Sequence, residues 1–287
     1  MPPALTVVVV HRNRPERFRT TVDALRAQTV PTRVLVIDTG SEPAARDEVA
    51  AMVAERPEDE LVAAGVNLGF GPGANEGLRR WLATGEATWV GLCPHDALPA
   101  PDCAERVLAA VAPRPRAGLA SADVGDRLSP VVDRYFGTLF RPAAVDEGWE
   151  PMDYPHGTLL FASRACLEDV GLFDERYFSY CEEADLGLRA RARGWEIGLV
   201  RGARVTNTDL SSSVAVVDYL QLRNTCLLTR EHFGRYAAFI RITTALLQLV
   251  SQTLRPARRP LVFHARARVR ALRDHLRGSY GPPPDDL

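Results

Sequence analysis

Four polar clusters in this chain carry side chains able to do acid–base or anion-binding chemistry. The first is Glu182-Glu183-Ala184-Asp185, at the head of a helical pattern that also holds Arg189, Arg191 and Arg193. One of these carboxylates could take a proton from an attacking hydroxyl. The same residues also suit helix-dipole placement and an Asp185–Arg189 pair one turn apart, so both readings stand. The second is Asp96 in Cys93-Pro94-His95-Asp96-Ala97-Leu98-Pro99, suited to a divalent cation bridging phosphate oxygens or to a proline-rich turn. The third is Asp38 in Asp-Thr-Gly-Ser, an acceptor for a nucleobase N–H or a ribose hydroxyl, and equally a turn or N-cap residue. The fourth, residues 67–77 (NLGFGPGANEG), has glycines that let backbone approach a ligand, and it opens a helix whose N-terminus favours anions. Its Gly-x-Gly-x-Gly spacing, after the third strand instead of the first, excludes a nicotinamide site.

The elements that must position these clusters alternate. Residues 5–10 form a continuous apolar, β-branched run, as expected for a strand buried on both faces. A helical pattern follows from Pro15 with Phe18, Val22 and Leu25 on one face. Strands are expected over 33–37, 61–64, 88–92 and 117–120, with helices to about 55, over 74–83 and over 102–111. Such β-α repetition implies a parallel sheet with helices on both faces, and ligands then bind beyond the carboxyl ends of the strands. Residues 11–14, Asp38, 67–75 and His95-Asp96 all follow strands, so they converge on one edge. From 124 to 154 the alternation gives way to a proline-containing stretch with one strand-like piece, 131–140. Regular patterns return over 163–170, 182–193 and 195–200. Helices are expected over 214–231 and 236–254, and the tail 281–287 (GPPPDDL) reads as disordered.

Composition removes whole classes. All 35 basic residues are arginine. Without lysine there is no P-loop, no ordinary protein kinase and no Schiff-base or pyridoxal-phosphate chemistry. A formal net charge of −1 argues against a nucleic-acid partner. Five scattered cysteines without a C-x-x-C pair read as reduced thiols in a cytosolic protein, not as a disulfide framework or zinc site. The N-terminal apolar run lacks a basic leader and a cleavage site, so it reads as a strand. No stretch reaches the ~20 apolar residues of a membrane span, the longest candidate, 237–254, being interrupted by Arg241, Thr243, Thr244 and Gln248.

The order of the motifs resembles family 2 glycosyltransferases, closest to a bacterial rhamnosyltransferase-like branch. The resemblance rests on VVVVHRNR, IDTGS, NLGFGPGANEG, PHDALP, GLFDERYFSYCEEADLGLRARARGW and Arg223-Asn224, with RALRDHLRGSYG near the end. It implies an α/β GT-A fold over 1–210, with a nucleotide-sugar half to about 122 and an acceptor half from about 123. A C-terminal helical region, 211–287, follows. It further implies that His11, Asn13, Arg14 and Asp38 hold the nucleoside end of the donor. Asn67, Gly69, Gly73 and Asn75 border its ribose and diphosphate. Asp96 is the last carboxylate of a D-x-D-like motif, and Glu183, beside Glu182 and Asp185, stands at the base position.

Three departures bear on the metal. Pro94 replaces the first polar position of the D-x-D-like motif, Asn207 stands where a late histidine completes the site, and the base is Glu rather than Asp. Dependence on Mn²⁺ or Mg²⁺ therefore stays open, with His95 as a substitute ligand, or Arg12, Arg14 and Arg223 as alternatives that neutralise the leaving diphosphate. The expected chemistry is inverting transfer from a UDP- or dTDP-linked sugar, rhamnose among the candidates, to a glycan, lipid-linked saccharide or small-molecule hydroxyl. The alternative is a non-catalytic relative that binds nucleotide, glycan or a partner enzyme; a nucleotidyltransferase lacks its triphosphate signature here. Residues 234–270 hold eight arginines and no acid, and Phe239, Ile242, Leu246 and Leu249 or Val250 recur at helical spacing. That region could lie on the inner face of an anionic membrane, pair with a second copy, or pack on the catalytic domain.

Overall fold

The computed structural model describes residues 5–84, 87–207 and 213–287. The first half alternates β1 (Leu5–His11), α1 (Pro15–Arg26), β2 (Thr32–Asp38), α2 (Pro43–Val53), β3 (Glu60–Ala63), α3 (Phe70–Thr84) and β4 (Trp89–Pro94). Every residue of β1 is buried because both faces of the sheet are covered. Pro15 and Pro43 occupy the first helical positions, where a missing N–H costs nothing. Short β5 (Leu98–Pro99), α4 (Cys103–Val111) and β6 (Ala117–Asp123) complete this half. Strands β3, β2, β1 and β4 run parallel, in the order 3-2-1-4, with His11 level with Asp38 and Val10 level with Pro94. The expected convergence on the carboxyl edge is therefore present.

The second half is less regular than the alternation suggests. Residues 128–142 form a hairpin, β7 (Leu128–Asp133) and β8 (Gly137–Pro142), in place of the single expected strand. Two strands escape the periodicity: β9 (Gly148–Pro151) and β10 (Leu160–Ser163). Strand β10 lies antiparallel between β4 and β6, which breaks the parallel order in mid-sheet. Helices α5 (Arg164–Val170) and α6 (Glu182–Ala192) then lead to β11 (Glu196–Thr206), parallel to β6. Buried Arg201 fastens the hairpin: Nε donates to Glu150 Oε2 at 2.7 Å, a second nitrogen to Asp123 at 3.2 Å and a third to Ser129 Oγ at 2.7 Å. Removing one partner of such a buried ionic set costs about 3–5 kcal/mol.

Helix α7 (Val214–Leu254) is broken at Gly234, whose φ of +85° no helix interior accepts. The two helices expected over 214–231 and 236–254 thus exist end to end. Helix α8 (Ala265–Arg277) packs against the second of them around Ala245, Ala267 and Ala271. The tail is a correction. Leu287 packs into that cluster, Gly281 donates to Arg176 O, and Asp286 lies 3.8 Å from Arg270, so three consecutive prolines stiffen a docked segment. A second correction concerns length. Among the described residues α7 is long and apolar enough to cross a membrane, and 17% of its apolar window is buried. The polar interruptions hide that in the sequence. The expected domain boundary near 210 lies outside the described residues.

Candidate functional site

A cavity of about 920 Å³ opens where the strand ends, the hairpin, α6 and α7 meet. Arg12, Asn67 and Pro94 line it from the strand edge, His156 and Gly157 from the loop after β9, Glu182 and Glu183 from α6, and Asn207 from the end of β11. Glu182 is buried, with Oε2 lacking a hydrogen-bond partner. Burial raises its carboxyl well above the ordinary range, and neighbouring Glu183 adds repulsion. Burial likewise raises Glu183. A carboxyl pair of this kind resists ionising twice, so a proton is retained close to neutral pH.

The loop before α6 explains how the pair is presented. Phe178, Tyr180 and Cys181 all have positive φ, between 66° and 73°, an unusual cost for non-glycine residues. Asn224 holds them there: its amide nitrogen lies 2.8 Å from the carbonyls of Tyr177, Ser179 and Tyr180. The same loop reaches α3, where Phe178 O accepts from Gly71 N and Ser179 Oγ accepts from Phe70 N.

That contact corrects the reading of the glycine-rich segment. Helix α3 starts at Phe70, not 74, and two of its first N–H groups are spent on the loop instead of facing an anion. A side-chain carbon at Gly69 would meet Phe178 O at 2.5 Å, and one at Gly73 would meet Thr39 Cγ2 at 2.9 Å, so these glycines allow packing. Buried Asn75 is fully engaged: it donates to Phe173 O at 2.9 Å and Glu175 at 3.1 Å and accepts from Phe173 N at 3.0 Å. It clamps the chain ahead of α6. Asn67 lines the cavity and accepts from Gly69 N at 3.1 Å.

The nucleoside cluster also satisfies itself. His11 is buried, with Nδ1 3.0 Å from Asp38 Oδ2, while Asp38 accepts from Ser41 N at 3.0 Å and from the Ser41 hydroxyl. Burial on its own would raise Asp38, but the bonds from His11 and Ser41 prevail and hold it below the usual carboxylate value. Asn13, at φ 53°, accepts from Glu42 N at 2.7 Å, and its own N–H donates to Ser41 Oγ. Exposed Asn13 and Arg14 stand at the rim of the strand edge. Thus His11 and Asp38 shape the edge from beneath, and Arg12 and Asn67 are its cavity-lining members.

Two expected roles pass to structure. Asp185 is buried between His232 Nε2 and Arg189 Nε, each at 2.8 Å, and ties α6 to α7; it does not face the cavity. Arg223 is fully buried against Tyr219, donates to Gly281 O at 2.8 Å and does not line the cavity. For a cation, no group of three His, Cys, Asp or Glu side chains gathers among the described residues. Pro94 offers no ligand side chain, and buried His95, pushed down to about 4 by burial, sets its ring edge-on to His11. Asp96 and Asn207 do not by themselves make a metal centre. Sequence reasoning missed Gly157, which carries no spacing signal. It also missed Arg241, a lone cation in an apolar helical run and therefore a legible signal.

A mixed α/β sheet with its cavity at the carboxyl edge is the GT-A arrangement, and solved structures share it. The mannosyltransferase PcManGT from Pyrobaculum calidifontis, in complex with GDP-Man and Mn²⁺, superposes with a TM-score of 0.63 at 15% identity, covering 97% of this chain and 87% of that one. GalNAc-T7 with UDP, GalNAc and Mn²⁺ gives 0.59 at 12% identity, covering 80% and 48%. Residues 2–226 match the family model described as glycosyltransferase like family 2, and the chain belongs to that family. It is 27% identical over 229 residues to the N-acetylglucosaminyl-diphospho-decaprenol L-rhamnosyltransferase of Mycobacterium tuberculosis, spanning 69% of this chain and 74% of that protein. It is 30% identical over 121 residues to a low-salt glycan biosynthesis hexosyltransferase of Haloferax volcanii, spanning 38% and 39%. The protein is a glycosyltransferase.

Proposed function

We propose that this enzyme transfers a sugar with inversion from a UDP- or dTDP-linked donor, rhamnose being the first candidate, to a hydroxyl of a lipid-linked saccharide. The observation that carries the reading is the Glu183 carboxylate, set on the cavity against Gly157 and raised in basicity by burial. Its ionised form takes the proton of the acceptor hydroxyl as that oxygen bonds to the anomeric carbon. The bond from that carbon to the diphosphate oxygen breaks on the opposite face, and the nucleoside diphosphate leaves. Arg12, at the strand edge, stands where it can neutralise the departing charge. Glu182 keeps its proton beside Glu183 and spares the site a second negative charge.

We infer the acceptor and address from a relative's name and from the surface of α7. The rhamnosyltransferase relative acts, by its name, on a diphospho-decaprenol acceptor. Here Phe239, Leu246, Leu247 and Val250 of α7 are exposed beside an arginine-rich, acid-free segment. We therefore place the enzyme peripherally on the inner face of a membrane. A thermal-shift panel of UDP, dTDP and their sugars, each with Mn²⁺, Mg²⁺ or EDTA, tests the donor. Ligand at 100 times its Kd stabilises by about 2.7 kcal/mol. Sugar release to water with the stabilising donor then supports transfer. Binding without any release or transfer would favour a non-catalytic, nucleotide-binding relative.

A further inference from the structure

One charge in the cavity is unaccounted for by the transfer reaction. Arg241 and Gln248 of α7 and Arg268 of α8 line the same space as the two glutamates. Arg268 is neutralised: its Nε lies 2.9 Å from Asp218 Oδ2, and Asp218 is buried. Arg241 is different. Its Nε is buried without a hydrogen-bond partner, and no carboxylate among the described residues pairs with it. Among the described residues the ionisable groups acting on it are the thiols of Cys181 and Cys226 and another cation, Arg268. A half-buried guanidinium that faces a cavity with no carboxylate beside it is poorly compensated, and a ligand anion in that cavity would supply the missing charge.

We propose that Arg241 is the anion-binding residue of the acceptor end of the cavity, and that the acceptor carries a phosphate or diphosphate ester next to its sugar. This deepens the reading above and rests on it. The guanidinium fork matches two phosphate oxygens, and Gln221, Thr225 and Gln248 line the cavity with it. These groups come from α7, whereas the strand-edge residues Arg12, Asn67 and Pro94 come from the donor side. A phosphate held there leaves the sugar hydroxyl toward Glu183 and the remainder of the molecule toward the exposed apolar residues of α7.

Calorimetry on the full chain with geranyl diphosphate, geraniol, UDP and dTDP separates the sources of phosphate. The wild type binds geranyl diphosphate and not geraniol. Arg241→Gln weakens geranyl diphosphate by about tenfold or more, as expected for a charge-assisted contact, and leaves nucleotide affinity within about twofold. Should Arg241→Gln fail to fold, Arg241→Lys carries the test, weakening geranyl diphosphate by about threefold through loss of the fork, nucleotides unchanged. Unaltered geranyl diphosphate binding in the variants, or none in the wild type, overturns the proposal. Loss of nucleotide affinity instead assigns Arg241 to the donor and overturns it too. Absence of nucleotide binding in every protein would sink the transferase reading separately, with the geranyl diphosphate comparison still decisive for Arg241.

Discussion

Glu183 Oε1 and Gly157 occupy adjoining space so tightly that a side-chain carbon on Gly157 would overlap the carboxylate oxygen. The clashing atom is the far end of a flexible side chain, not backbone. Gly157→Ala should therefore cost little stability, with Tm within about 2 °C of wild type, yet push the carboxylate aside. A misplaced base costs about 10²-fold in rate. Turnover and thermal unfolding measured on the same preparation check this. Equal loss of both would mean that Gly157 only maintains the fold.

Replacing the proposed base, Glu183, gives the larger effect. Glu183→Gln keeps the volume and removes the proton acceptor, so kcat should fall about 10²–10⁴-fold while nucleotide affinity holds. The pH profile carries the environment. Burial raises this carboxyl, and a base acts only when ionised, so kcat/KM should decline on the acid side with a midpoint above the ordinary glutamate value of ~4.3. A midpoint at or below that value would remove Glu183 from the role.

Glu182 gives a prediction about stability alone. Its folded value lies above its unfolded one, so the folded state binds the proton more tightly. The protonated group is compatible with folding at low pH, and stability is lost as pH rises through the folded value. Glu182→Gln removes that loss. Its unfolding midpoint should match wild type at pH 4 and exceed it increasingly at higher pH, each tenfold difference in proton affinity between the folded and unfolded chain being worth about 1.4 kcal/mol. A constant difference across pH would show that Glu182 binds its proton no more tightly in the folded chain than in the unfolded one.

Much of this arrangement is legible in the residues themselves. The apolar runs of β1, β2 and β4 and the polar residues at or just beyond their ends place His11, Asp38 and His95-Asp96 on one edge, because strand periodicity and the parallel-sheet rule act locally. Glu182 and Glu183 are legible as a pair. Which carboxylates face the cavity is not, since Asp185 is claimed by His232, 47 residues away in sequence. The glycines of 69–73 read as a ligand loop because their freedom is visible locally, whereas Phe178, which fills the space, is distant. Strand β10 carries only four residues between two parallel partners, too short for a period to register.

The Arg223-Asn224 pair now has a physical task that can be tested. Asn224 gives its amide protons to three carbonyls of a loop strained at Phe178, Tyr180 and Cys181. Asn224→Ala takes the donor from one buried and two part-buried carbonyls and should destabilise by about 1–3 kcal/mol. The loop also positions α6, so kcat should fall further than stability accounts for. Asn224→Asp, which keeps the shape and loses the donors, should behave like the alanine variant. Wild-type turnover in a destabilised Asn224→Ala protein would separate the loop from the base.

Membrane contact is tested by the two halves of one surface. Ile242 and Ala245 pack toward α8, so the apolar stripe read from the sequence is partly consumed. Phe239, Leu246, Leu247 and Val250 remain exposed, at 65%, 48%, 67% and 57% of their surface. Burying such residues at an interface is worth about 25 cal/mol per Å² of apolar area, and nearby arginines add about 1 kcal/mol each on anionic lipid. Flotation should recover the protein with liposomes containing anionic lipid, less with neutral liposomes, and less again at about 0.5 M salt, where charges are screened within a few ångströms. Leu247→Glu with Val250→Glu should abolish recovery while leaving donor affinity unchanged, because neither residue lines the cavity. Recovery that ignores both lipid charge and the double substitution would leave this face to a second copy of the chain, which sedimentation of the same variants would then register as loss of a dimer.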